Sequence, residues 1–448
     1  MAKHPHSPTP HSIFDEPSFE EGVVTPDPAF FSTRHPSDNA EYKALGDLLS
    51  KEVVAFDKSR IAPDQLYQLE TAMGQLGPDV VKAITGNGRI VFHAVGDSGA
   101  SDVRKYANEV RVFDQVAEDA HTAEAGDRPS FLFHLGDVIY NFGEARYYYD
   151  QFYEPNRAYP GPIFAIPGNH DSFVIPNTAP ADAPLVTFAR NFCSETVTIT
   201  PEAGSLHRTA VTQPGVYFAL DAPFVRIIGL FSNALEDPGV ISSQGGHWPD
   251  VPDYQIEFLT AQLQKIRDEK YSGAVLLAVH HPPFTYAPPR KAGGTTGNHQ
   301  SSTAMLREID AVCAQVGVYP HAVLSAHAHN YQRYTRTVSL GGNDLDVPFV
   351  ICGTGGHNIN PMTRAARGTP AQAPVFGSDV SYLDPKPAIT TKGLLLEKYN
   401  DRDYGYLRIS VDKAQLRISF HVASSDPIAQ SRFDEVTVDL ADHTMVAN

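Results

Sequence analysis

Cysteine is scarce. Cys193, Cys313 and Cys352 are the only three in 448 residues; they lie far apart and lack metal-ligand spacing. Neither a disulfide framework nor a thiolate zinc site is expected from them. Long hydrophobic runs are missing as well: no stretch approaches the roughly 20 apolar residues that span a bilayer. The first residues, MAKHPHSPTPHSIFDEP, contain no apolar core of the secretory type. A soluble cytoplasmic protein is the simplest expectation, with a processed or exported form as the alternative. Basic residues are outnumbered, 35 Lys and Arg against 52 Asp and Glu, for a formal net charge of −17. Such a balance gives no general footprint for nucleic acid or for an anionic membrane surface, and neither is expected as a partner. A small phosphorylated ligand stays compatible with it, because bound cations reverse a local field.

What the chain does have is enough apolar sequence for a packed core, 42% hydrophobic against 19% charged. Its length suggests one large α/β domain with additions, or two domains. Residues 1–38 are rich in Pro, His, Ser and Thr and read as a solvated arm, in which His4, His6 and His11 would bind metal only adventitiously. Residues 39–88 read as a helical N-terminal extension. Tyr42, Leu45, Leu49, Val53 and Phe56 recur at helical spacing, and a second helical stretch from Pro63 to Ile84 ends at Gly86-Asn87-Gly88.

From Arg89 the pattern changes. Short apolar runs, Ile90–Val95, Phe131–Leu135, Ile163–Ile166, Val225–Leu230, Val275–Val279 and Ala322–Leu324, end in polar turns. Helical patterns lie between several of them, with Phe258, Leu259, Leu263 and Ile266 on one face and Leu306, Ile309, Val312 and Val316 on another. This alternation implies an α/β fold in which polar residues beyond the strand ends gather on one rim. After Tyr331 the chain reads mostly as strands, interrupted by a Pro- and Gly-rich loop from Asn358 to Pro387. The last stretch, 423–448, is expected as a tail or edge segment.

Five of the turns carry metal-ligand chemistry: Gly96-Asp97-Ser98-Gly99, Gly136-Asp137-Val138-Ile139-Tyr140, Gly168-Asn169-His170-Asp171, His280-His281 and His327-Ala328-His329. Singly each is weak, because Asp after a strand is commonly a turn residue and a lone His is commonly structural. His93 and His134, inside apolar runs, are read as structural for that reason. Jointly, two carboxylates, an amide, three imidazoles and a phenol in this order point to a dinuclear metal site.

The five blocks resemble those of the calcineurin-like metallophosphoesterase superfamily, and within it the purple acid phosphatase branch. Many superfamily members carry Asp-x-His in the first block; here it is Asp97-Ser98-Gly99, and the second block has instead Tyr140, three residues after Asp137. The resemblance covers residues 89–422 and implies a four-layer α/β/β/α sandwich of two mixed sheets. It implies a first metal on Asp97, Asp137, Tyr140 and His329, and a second on Asp137, Asn169, His280 and His327, with His281 a neighbour. A phenolate suits Fe(III); an amide and imidazoles suit Fe(II), Zn or Mn. The implied reaction is hydrolysis of phosphate monoesters by direct attack of a metal-bound hydroxide on phosphorus. His170 is the expected phosphate-binding residue or general acid, oriented by Asp171. Asn169 is expected to face the substrate as well, and His299 to be a second catalytic, substrate-facing histidine. His247, Trp248 and His357 are weaker candidates for the rim. A phosphodiesterase acting on cyclic nucleotides or glycerophosphodiesters with the same site is the nearest alternative, and a non-catalytic metal-binding interaction protein a remote one.

Overall fold

The computed structural model describes residues 17–19, 40–174, 183–236, 239–286, 301–362, 374–423 and 431–446. Two mixed sheets form the centre. In chain order the strands are β1 (Tyr67–Gln68), β2 (Arg89–Val95), β3 (Leu132–His134), β4 (Ile163–Ala165), β5 (Phe218–Ala222), β6 (Val225–Leu230), β7 (Ala274–Val279) and β8 (Ala322–Ser325). Then follow β9 (Tyr331–Leu340), β10 (Asn343–Cys352), β11 (Ser378–Asp379), β12 (Thr391–Asn400), β13 (Gly405–Asp412), β14 (Gln415–Val422), β15 (Ser431–Asp439) and β16 (Thr444–Met445). One sheet has the order β1-β5-β6-β7-β8-β10-β9-β12-β11 and the other β16-β15-β14-β13-β2-β3-β4. β2, β3 and β4 are mutually parallel, as are β6, β7 and β8.

The buried strands read as near-continuous apolar runs because both faces of each sheet are covered. Between the sheets, Phe133 of β3 stacks on Phe218 of β5 at 6.0 Å, and Phe164 of β4 meets Tyr67 of β1 edge-on at 5.9 Å. β6 comes so close to the end of β4 that a Cβ on Gly229 would sit 2.8 Å from Ile166. Helices Tyr254–Asp268 and Thr303–Val316 pack side by side beside the larger sheet, and helix Val103–Thr122 packs beside the smaller one. The last is started by Asp102, whose carboxylate accepts the backbone N–H groups of Arg104 and Lys105. Among the described residues no helix is long and apolar enough to cross a membrane. The three cysteines are free and buried.

Residues 40–88 differ from a purely helical extension. The first helix, Ala40–Leu49, stops before Val53, and Phe56 instead packs against Tyr217, Phe231 and Tyr254. The second helical stretch is broken at its start: Tyr67–Gln68 pairs in parallel with Leu220–Asp221, a short helix Leu69–Ala72 and a 3-10 turn Gly74–Leu76 follow, and the longer helix runs from Gly77 to Asn87. The open edge of β5 offers backbone partners that local helical spacing does not reveal, and Gly74, at φ 55°, ends the preceding turn. At the other end of the chain, β15 pairs antiparallel with β14 from Gln415↔Asp439 to Val422↔Ser431, so this segment completes the smaller sheet.

Candidate metal centre

Three parallel neighbours of the smaller sheet and two of the larger end at the same rim. The backbone is forced there. Asp97, Asp137 and His327 adopt left-handed φ values of 56°, 54° and 63°, where L-residues with a Cβ are strained. The close approach is absolute at Gly168, where a Cβ would stand 2.2 Å from Asp137 Oδ1. Ala326 is accommodated because its methyl packs over Gly96, whose own Cβ would lie 2.4 Å from it.

The side chains converge into one cluster. The Tyr140 hydroxyl lies 2.7 Å from Asp97 Oδ1, 2.6 Å from Asp137 Oδ2 and 3.1 Å from His329 Nε2. His329 Nε2 is 3.3 Å from Asp97 Oδ1. At the other end, Asn169 Oδ1 is 3.1 Å from both His280 Nε2 and His327 Nδ1. Asp137 links the ends, its Oδ2 lying 3.4 Å from His280 Nε2. Asp137, His280 and His327 form a group whose candidate ligand atoms all lie within 4.8 Å of one another. All these side chains are buried.

The electrostatics fit a cation. One phenolic proton cannot satisfy two carboxylates and an imidazole, and burial, reinforced by Asp137 and Asp97, raises the Tyr140 pKa well above its ordinary value. Burial would also raise the Asp137 carboxyl, but the His280 and His170 imidazoles reverse this and hold it well below the carboxylate range. Against burial, Asp137 lifts His280 to about 9. Tyr140 and His280 thus hold protons against the carboxylates, in the places that cations would take, and the cluster of carboxylate, amide, imidazole and phenol groups is a donor set for metal ions. His280 is held for such a role: its Nδ1–H donates to the Leu135 carbonyl at 2.8 Å, leaving Nε2 for the cluster. His281 stays beside the cluster as a neighbour, its ring 4.4 Å from that of His327 and its Nδ1 3.0 Å from Ser232 Oγ, and burial pushes it down to about 3.

His170 stands at the margin, partly exposed, its ring 4.3 Å from that of Tyr140. Asp171 does not orient it. The Asp171 carboxylate accepts the backbone N–H groups of Ile139 and Gly168, whereas His170 Nδ1 donates to the Asn141 carbonyl at 2.8 Å. A carboxylate one residue further along the short helix Asn169–Ser172 points to another side of it. His299 lies outside the described residues. His247 is exposed, edge-on to Trp248, which packs half-buried against the core. His93 and His134 are structural, paired with Asp119 and with Ser98 respectively.

Other partners arrive from parts of the chain that carried little signal. Glu236 accepts the Asn169 amide N–H at 3.0 Å. His357 stacks on Tyr140, and Asn358 lies 2.9 Å from His329 Nδ1. Leu45 and Leu49 of the first helix pack on Phe142 and Phe173, which flank the loops of the second and third blocks. Only the glycine-rich run before His357 hinted at any of these.

No curated protein matches the chain. Among solved structures, one titled "GAP50 the anchor in the inner membrane complex of Plasmodium" is 9% identical, with a TM-score of 0.45 over 77% of this chain and 88% of that one. Another, titled "Structure of PhoD", is 12% identical, with a TM-score of 0.46 over 81% and 72%. The family model described as calcineurin-like phosphoesterase matches residues 90–331, more than half of the chain. That span contains the five strand-end turns that carry the cluster, and the chain belongs to the calcineurin-like phosphoesterase family.

Proposed function

We propose that the protein is a dinuclear-metal phosphoesterase acting on phosphate monoesters of small molecules, in the manner of purple acid phosphatases. The observation that carries this reading is Asp137, whose Oδ2 lies 2.6 Å from the Tyr140 hydroxyl and 3.4 Å from His280 Nε2, between the two ends of the cluster. A carboxylate so placed would hold both cations and reduce their repulsion. Asp97, Asp137, Tyr140 and His329 would hold the first ion, Fe(III) by its phenol ligand. Asp137, Asn169, His280 and His327 would hold the second, Fe(II), Zn or Mn. When bound, such ions polarise a phosphoryl oxygen and lower the pKa of a water.

The remaining tasks fall to the chain. His170, its Nδ1 committed to Asn141, has Nε2 for a phosphate oxygen or for the proton of a leaving alkoxide. His299 would serve as a second substrate-facing histidine. Glu236 favours a second reading, a phosphodiesterase. Its carboxylate beside Asn169 disfavours a dianionic monoester more than a monoanionic diester. Elemental analysis of the purified protein, with turnover measured on a panel of phosphate mono- and diesters, tests both. Two metal equivalents and preference for monoesters are expected. Preference for diesters would select the second reading, and a two-metal protein inert on both panels would remove the enzymatic one.

A further inference from the structure

The Tyr140 ring has two imidazoles against it, and the closer belongs to a residue outside the five blocks. The His357 ring lies 3.5 Å from that of Tyr140, centroid to centroid, at 18°. The ring centroids of most aromatic pairs are ~4.5–7 Å apart. We propose that His357 is a positioning residue for the first metal position, holding the Tyr140 ring and tying it to the turn that carries Asp97. The proposal rests on the dinuclear reading.

The segment leading to His357 is fitted to the first block. Gly355 N–H donates to the Gly96 carbonyl at 3.0 Å, and a Cβ on Gly355 would stand 2.6 Å from that oxygen. Gly356, at φ 146°, lies against the backbone of Glu109 in helix Val103–Thr122, which a Cβ would approach to 2.5 Å. The chain therefore reaches His357 by a path that only glycine permits. His357 then makes two ties of its own. Its backbone N–H donates to the Asp97 carbonyl at 3.1 Å, and its Nδ1–H donates to the Gly99 carbonyl at 2.7 Å. The second tie fixes the plane of the imidazole, and so the plane on which the Tyr140 ring rests. A phenyl ring could stack but could not be fixed in this way.

The next residue acts on the same position. Asn358 lies 2.9 Å from His329 Nδ1. An ion at His329 Nε2 requires a proton on Nδ1, which Asn358 accepts through its amide oxygen in one of its two flip states. Residues 357 and 358 thus address Tyr140 and His329 together. The tyrosine hydroxyl has three partners within 3.1 Å, so a small tilt of its ring would disturb all of them.

The test is metal binding, read separately from turnover. Metal-free wild type, His357→Ala, His357→Phe, His357→Gln and Tyr140→Phe are titrated with iron, and metal content and the visible tyrosinate-to-iron absorption band are measured. His357→Ala should bind the first ion about 10–100-fold more weakly and shift or weaken the band, with second-site content retained. His357→Phe restores the stack and should recover part of the loss; His357→Gln restores only a donor for Gly99 and should recover less. If the alanine protein does not fold, the Phe and Gln variants carry the test. First-ion affinity and band equal to wild type in the folded His357 variants overturn the proposal. Tyr140→Phe separates the two readings: if it lowers iron content and the His357 variants do not, only the positioning role fails. If Tyr140→Phe is also indifferent, the first metal position is misassigned and both fall.

Discussion

Asn169 gives its amide nitrogen to Glu236, 3.0 Å away, and so keeps its oxygen toward His280 and His327. An amide free to flip would offer N–H donors to a cation half of the time. Glu236→Ala should therefore weaken the second metal position about 10–100-fold and spare the first. Glu236→Gln retains an acceptor oxygen and should lose less. Titration of the metal-free proteins with Zn decides it; wild-type affinity in Glu236→Ala would mean that other neighbours hold the amide.

Asp137→Ala should abolish hydrolysis and lower the content of both metals, because one carboxylate contacts both ends of the cluster. The check is elemental analysis alongside turnover. A variant that keeps two metals and wild-type rate would rule out the bridging assignment.

His170→Ala should keep its metals and lose about 10²–10⁴-fold in rate on alkyl phosphates if the imidazole protonates the leaving group. The loss should shrink on a nitrophenyl phosphate, whose leaving group needs no proton. Equal losses on both substrates would assign His170 to phosphate binding instead.

Stability away from the site depends on one buried cation. Arg336 is fully buried and bonds both oxygens of Asp310, at 2.8 and 2.7 Å, and Asp384 at 2.8 Å. Arg336→Met would leave two carboxylates buried without their cation and should cost about 3–5 kcal/mol in urea unfolding. A shift under 1 kcal/mol (about the value of an exposed pair) would show that water replaces the arginine.

Acid lability should trace in part to a histidine pair on the far rim. His321 and His443 stack at 4.5 Å. Burial pushes His321 down to about 4, and burial with His321 pushes His443 to about 3. Unfolded, each titrates near ~6.5, so the unfolded state binds more protons below that pH. Their contribution is complete above ~6.5 and is lost as pH falls toward the folded values. His443→Asn, which suits the left-handed φ of 54°, should make the slope of stability against pH shallower by up to about 1.4 kcal/mol per unit between pH 6 and 4. Denaturant unfolding at several pH values reads this slope, and an unchanged slope would mean that His443 takes up its proton in the folded state as well.

The chemistry was legible in the sequence because it is local. Asp97, Asp137, Asn169, His280 and His327 each sit within four residues after a strand end, and strand ends show as apolar runs meeting polar turns. The parallel order of β2, β3, β4 and of β7, β8 then follows from alternation with helices. What lay beyond the sequence depends on pairing between distant segments. β1 is a strand only because β5 offers it an edge, and β15 only because β14 does. Asp171 follows His170 directly, yet the helical turn sends its carboxylate to backbone N–H groups and leaves the imidazole to Asn141. Glu236 has no motif and His357 only the glycine-rich run before it, since what matters is where their loops pass. The sequence determined which candidate ligand types this protein carries and in what order, because those are properties of single residues at strand ends. Which side chains orient those ligands was decided by the tertiary structure alone, because a hydrogen bond or a ring stack depends on distance in space and not on separation along the chain.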